Sequence, residues 1–239
     1  LPWYAPTRLF DVAQGQHHGW MLPGWIRSWN RPQCYFDNVA RLVEIGRGSP
    51  TGAVIYQHDQ FPQRYRNTMF SACWSLGRIY CFPLRAKEES FTTELEVFLR
   101  PKGSAGFAPV DMAIGKQGEM YVAIGGRGTR GSVFRIEYKG KDGGQTLEPK
   151  SDLEKVLAAN QPHASWSRAE WTPLVTKLGK AAFEKAALND SLPEIQRVRA
   201  IDVLTEFFGG VDYETARHLS QQDGELPTAR LALSLGRGI

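Results

Sequence analysis

Residues 46–84 read GRGSPTGAVIYQHDQFPQRYRNTMFSACWSLGRIYCFPL. Three short apolar runs, Ala53–Tyr56, Thr68–Trp74 and Arg78–Leu84, are separated by turns rich in Gly, Pro, Asp and Arg, which predicts an antiparallel meander. The pattern recurs about sixty residues downstream. Pro50-Thr51-Gly52-Ala53-Val54-Ile55 lines up with Pro109-Val110-Asp111-Met112-Ala113-Ile114, and Met69-Phe70-Ser71-Ala72 with Met120-Tyr121-Val122-Ala123. Gly77-Arg78-Ile79-Tyr80-Cys81-Phe82 then matches Gly131-Ser132-Val133-Phe134-Arg135-Ile136. A repeated small sheet of this kind is the sequence pattern of successive β-propeller blades, because each sheet must bury both faces against its neighbours.

The 239 residues are 42% hydrophobic and 11% aromatic, enough for a core in one or two units. No apolar run reaches the length of a membrane span. The chain starts at Leu1 with no signal-peptide pattern, and it reads as a processed chain or a fragment. Residues 1–150 carry 19 Lys and Arg against 13 Asp and Glu, whereas residues 151–239 carry 10 against 12. A basic first part without a Lys/Arg cluster or a reading motif argues against nucleic-acid binding. Cys34, Cys73 and Cys81 form no CxxC or CxxCH, which excludes a zinc ribbon and covalent haem in this segment. Cys73 and Cys81 fall in neighbouring runs of the meander, either facing each other as a disulfide or, the preferred reading, as buried thiols.

Taken in order, Leu9–Ala13 reads as a short strand, and Trp3, Trp20, Trp25 and Trp29 suggest a loop-rich cap. His17 and His18 would point to opposite faces of an extended segment, so they do not form a metal pair. The polar excursion His58–Arg66 offers an acid–base pair in His58 and Asp59 or an ordinary Asx-type turn, and the turn is preferred. Phe91–Leu99 reads as an edge strand completing a four-stranded sheet. In the second meander, Gly125-Gly126-Arg127-Gly128-Thr129-Arg130-Gly131 permits positive φ, and its N–H groups with Arg127 and Arg130 could converge on an anion. The alternative is a tight inter-strand loop.

Residues 139–150 form a polar linker, after which the apolar period changes from two to about 3.6. Helices are predicted over Asp152–Ala159, from Ser167 as N-cap through Lys177 with Pro173 as a start or kink, over Lys180–Leu188, over Pro193–Phe208 ending at Gly209-Gly210, and over Asp212–Ser220 and Leu226–Leu235. The expected architecture is β plus α: a partial β-propeller of two to three blades over 1–138, then a short α-solenoid of HEAT-like helices over 151–239.

Several of these residues carry a resemblance. Pro6-Thr7-Arg8, Gly19-Trp20, Glu44 through Gly52, Asp59-Gln60-Phe61-Pro62, Gly77-Arg78-Ile79-Tyr80, Pro109-Val110-Asp111 and Gly126 through Gly131 together resemble the later blades of the glucose/sorbosone dehydrogenase family. The closest resemblance is to large dehydrogenases of planctomycete type, in which HEAT-like repeats follow the propeller. It implies an extracytoplasmic or periplasmic quinoprotein in which pyrroloquinoline quinone and calcium sit on the propeller axis and a His takes a proton from a sugar hydroxyl. The family's base and calcium-binding carbonyls belong to blades upstream of Leu1. Family loops that bring basic side chains to the cofactor correspond to Trp74-Ser75-Leu76 and Phe107-Ala108-Pro109-Val110, which hold no Lys or Arg. The chain alone is therefore expected to bind no cofactor.

Two functions stay open. One is part of a sugar-oxidising enzyme of quinoprotein type, the isolated chain not catalytic. The other is a non-catalytic propeller and solenoid that binds a polysaccharide or protein partner, with Trp20, Trp25 and Trp74 as candidates for sugar stacking and Arg127 and Arg130 as candidate anion or sugar contacts. Both expect exposed sheet edges to be covered by missing blades or another chain.

Overall fold

The computed structural model describes residues 6–12, 16–18, 38–87, 90–103, 106–126, 128–143 and 149–221. The chain divides into two compact units, one of residues 1–85 and 90–145 and the other of residues 86–89 and 146–239. The described residues combine small antiparallel sheets with five helices.

In the first unit, β1 (Thr7–Leu9) pairs with β2 (Val43–Gly46). β3 (Pro50–Tyr56), β4 (Thr68–Cys73) and β5 (Arg78–Pro83) form the meander, and β6 (Arg85–Lys87) with β7 (Ser90–Thr92) makes a short hairpin. β8 (Glu96–Leu99) then returns to pair with β5, giving the order β3-β4-β5-β8. The expected strand over Phe91–Leu99 is thus two strands in two different sheets. β9 (Pro109–Ile114), β10 (Met120–Gly126) and β11 (Thr129–Ile136) form the second meander, with β10 in the middle. The first strand is Thr7–Leu9 rather than Leu9–Ala13, because its pairing with β2 stops at Leu9.

Side-chain alternation settles which face of each sheet meets which neighbour. Tyr56, Phe70, Ala72, Ile79 and Cys81 pack against Met112, Ile114, Met120, Val122 and Ile124 of the second meander. The opposite face of the first meander presents Cys73, Tyr80 and Phe82 to Leu9, Val43 and Ile45 of β1 and β2. Each fully buried Phe, Ile or Met here contributes about 1.5–3 kcal/mol of transfer free energy. The same alternation decides the cysteines. Cys81 lies opposite Phe70, an odd number of residues from Cys73, so the two thiols occupy opposite faces of one sheet and both are free and buried. The disulfide alternative is thereby closed by geometry, not by spacing.

The meanders come closest at Gly52. A Cβ there would sit 2.5 Å from the Cα of Asp111 and 2.2 Å from its Oδ1, and Thr51 Oγ1 donates to the Pro109 carbonyl at 2.9 Å. Glycine is needed at this point because the Asp111 Cα, which cannot swing away as its carboxylate could, also occupies the space.

The second unit contains α1 (Asp152–Leu157), α2 (Ser165–Leu178), α3 (Lys180–Ala187), α4 (Glu194–Phe207) and α5 (Tyr213–Ser220). Ser151 and Asp212 cap α1 and α5 by accepting from the N–H groups of Glu154 and Thr215. Ser167 is not an N-cap: it is buried within α2, whose N-cap position is Ala164, and Pro173 lies inside that helix. α4 ends as expected, with Gly209 and Gly210 at positive φ and the Gly210 N–H bonded to the Leu204 carbonyl at 2.9 Å. The core gathers Val156, Trp171, Val175, Phe183, Ile201, Leu204 and Leu219. Buried Arg199 lies with its guanidinium 4.3 Å from the Trp171 ring centroid. The expected helix over Leu226–Leu235, the tryptophans at positions 3, 20, 25 and 29, and Cys34 lie outside the described residues. Among the described residues no helix is long and apolar enough to cross a membrane.

Replacing Gly52 with Val is expected to destabilise the first unit by about 1–3 kcal/mol through overpacking against Asp111. Gly125→Ala, where a Cβ meets nothing within 4 Å, serves as the neutral control. Chemical denaturation of the two variants checks the pair.

Candidate functional site

The strands of both meanders run between two ends, and the candidate residues separate accordingly. At one end the β4–β5 turn meets the β10–β11 loop. Trp74 is half-buried, and its Nε1 donates to the Gly125 carbonyl at 2.8 Å while its ring lies against Gly126. Gly126 and Gly128 both have positive φ, as the glycine-rich loop predicts. Arg130 is exposed at the start of β11. Arg127 lies outside the described residues. The structure therefore brings Trp74 to the glycine loop, with its indole N–H already engaged in tying the two meanders together.

The other end is built on the excursion between β3 and β4. His58 Nδ1 accepts from the N–H groups of Asp59 at 2.8 Å and Gln60 at 3.2 Å, and Nε2 lies 3.2 Å from the Lys116 carbonyl. Two donors on Nδ1 and a carbonyl on Nε2 specify the neutral tautomer with its proton on Nε2. Burial, the largest influence, lowers its pKa further, so His58 stays uncharged near neutrality. Both ring nitrogens are consumed by backbone, and buried Asp59 pairs with Arg66. The excursion is a turn, but the His58 imidazole closes it rather than the Asp59 carboxylate of an Asx-type turn, because Asp59 is taken up by Arg66.

No protein-family model matches the chain, and no curated protein matches it.

What the sequence reading missed at this end is aromatic. Phe61 turns inward from the polar excursion and stacks on Tyr56 with centroids 4.6 Å apart, and Tyr65 meets Phe98 edge-on at 5.5 Å. Phe98 in turn meets Phe70 edge-on at 4.8 Å. The buried Tyr56 hydroxyl donates to the Gly118 carbonyl at 2.8 Å and accepts from the Phe61 N–H at 3.0 Å. Above this cluster opens a pocket of about 320 Å³ shared by the excursion, β8 and the residues that follow β11. The signal in the sequence was the spacing of Phe61 and Tyr65 inside an otherwise polar loop; the contributions of Phe98, on β8, and Tyr138, just after β11, come from far along the chain. Among the described residues no group of three or more His, Cys, Asp or Glu could hold a metal ion.

Burial pushes the Tyr56 hydroxyl up to about 12, above the ordinary value near 10. Between those values the unfolded chain loses this proton while the folded chain keeps it. Stability contributed by Tyr56 is thus complete below pH about 10 and lost as pH rises from about 10 to about 12. Tyr56→Phe is expected to cost about 1–3 kcal/mol at neutral pH, by leaving the Phe61 N–H buried without its acceptor, and to flatten this alkaline slope. Urea denaturation across pH 8 to about 12 reads both effects.

Proposed function

We propose that the chain is a non-catalytic part of a propeller-type protein of the glucose/sorbosone dehydrogenase-like kind, supplying stacked sheets and a helical scaffold rather than the reacting groups. The observation that carries this reading is the repeated direction of stacking. Val54, Phe70, Ala72, Ile79 and Cys81 form the face of the first meander that packs on the second. Their counterparts in the sequence repeat are Ala113, Tyr121, Ala123, Val133 and Arg135, which form the far face of the second meander. Ile79 is 0% exposed while its counterpart Val133 is 67% exposed. The sheets thus follow one another with the same face forward, as blades do around an axis, and the last described sheet presents a face of the kind that another sheet covers.

The residues present do not fit a tricarboxylate quinone. Trp74–Leu76 and Phe107–Val110 hold no basic side chain, and His58 spends both nitrogens on backbone. The reading therefore assigns this chain no redox step and places pyrroloquinoline quinone and calcium, with the sugar hydroxyl to be oxidised, on blades beyond it. An extracytoplasmic location follows from the same proposal.

Titration of the chain with pyrroloquinoline quinone and calcium, followed by absorbance and calorimetry, is expected to show no binding, and a version extended upstream is expected to bind both. Binding by this chain alone would overturn the assignment, and failure of both would leave a scaffold without cofactor. Sedimentation tests the open face: the chain is expected to self-associate, and Val133→Asp to reduce association without lowering the midpoint of thermal unfolding.

A further inference from the structure

The aromatic pocket stands independently of how the sheets are completed. Its floor is apolar: Tyr65, Phe98, Ile136 and the ring of Tyr138 line it. Its mouth carries charge of both signs, from Arg64, Glu137 and Asp142.

We propose that this pocket binds a neutral pyranose of a carbohydrate ligand, the C–H face of the sugar on the aromatic floor and its hydroxyl groups on Asp142, Glu137 and Arg64. A sugar ring presents an apolar C–H face and a belt of hydroxyl donors together, and the pocket offers an apolar wall and acceptors to match in one concavity. Asp142 accepts from the Tyr138 hydroxyl, which holds its carboxyl below the usual range, and Glu137 is held low by its bond from Lys139. Both are therefore ionised and can only accept, so what they take from a ligand is an O–H or N–H. A carboxylate offers about four lone-pair sites, and the Tyr138 hydroxyl takes one of those on Asp142. Arg64, hydrogen-bonded to the Tyr65 hydroxyl and lying 4.4 Å over that ring, supplies the complementary donors.

Charge balance argues for a neutral occupant. Arg135 and Lys139 pair with Glu137, and the lining also carries Arg64 and Asp142, of opposite sign, so charge of neither sign dominates the pocket. The volume of about 320 Å³ sits at the lower end of small-molecule pockets, as a site for one or two sugar rings requires. The walls are also held in place before any ligand arrives. The Gln60 side chain donates from Nε2 to the Tyr138 carbonyl at 3.2 Å and accepts from the Tyr138 N–H at 3.3 Å, clamping the residues after β11 to the β3–β4 excursion. A backbone bridge between Pro62 and Gly143 fastens them a second time. A preformed site gives up less ordering entropy on binding.

The test is calorimetry and saturation-transfer NMR of the full chain against maltose, cellobiose, xylobiose and di-N-acetylchitobiose, repeated with Asp142→Asn, Tyr138→Ala and Tyr138→Phe. The expected result is saturable binding of at least one of these sugars, weakened about tenfold or more by Asp142→Asn and by Tyr138→Ala, and weakened less by Tyr138→Phe, which keeps the ring. Asp142 is exposed, so its variant is expected to fold, and unchanged circular dichroism verifies that. The proposal is overturned if no sugar in the panel binds, if binding is indifferent to Asp142→Asn, or if saturation transfer appears only with charged ligands such as glucuronate or glucosamine.

Discussion

A small antiparallel sheet with apolar residues on both faces cannot exist alone in water, and everything else in the first unit follows from that constraint. The first meander places Phe70, Ala72, Ile79 and Cys81 on one side and Cys73, Tyr80 and Phe82 on the other. It therefore needs a layer above and a layer below, which the second meander and the β1–β2 pair provide. Close approach of the layers in turn demands Gly52 against Asp111, where no side chain fits. The order of dependence runs from two-sided burial to stacking, and from stacking to the glycine.

Two loops show how the ends of the stack are secured without adding strands. The excursion between β3 and β4 looks like a solvated turn, but Phe61 fills the space beside Tyr56, and His58 caps its own turn by accepting two backbone N–H groups. Meanwhile Trp74 reaches from the β4–β5 turn to the Gly125 carbonyl, joining the opposite end. A histidine and a tryptophan that suggest chemistry in the sequence thus serve as struts, while aromatic and charged groups around Tyr138 and Asp142 line a pocket that stays open.

The helical unit rests on a different device. Trp171 is buried with its Nε1 donating to the Pro162 carbonyl at 3.0 Å, and the guanidinium groups of Arg199 and Arg168 lie over it at 4.3 and 5.1 Å. Arg168 also grips Glu206, which holds that carboxyl below its usual range. Two cations against one indole let α2 and α4 share polar side chains within a core otherwise made of Val175, Ile201 and Leu204, and this offsets the cost of removing Arg199 from water.

The sequence by itself determined local structure and its order. Alternation marked six strands of the two meanders to within a few residues, Gly209-Gly210 marked the end of α4, and the repeat from Pro50 and from Pro109 marked two similar sheets. These features are written in neighbouring residues, where period and turn chemistry suffice. Tertiary structure decided whatever depends on residues distant in the chain. It split Phe91–Leu99 between two sheets, because β8 pairs with β5 only after the hairpin, and it put Cys73 and Cys81 on opposite faces. It buried Ser167, and it assembled a pocket from Tyr65, Phe98 and Tyr138, which no local pattern connects. A pairing register and a convergence of side chains are properties of the packed chain, since each is fixed by what lies across the space and not by what lies next in the sequence.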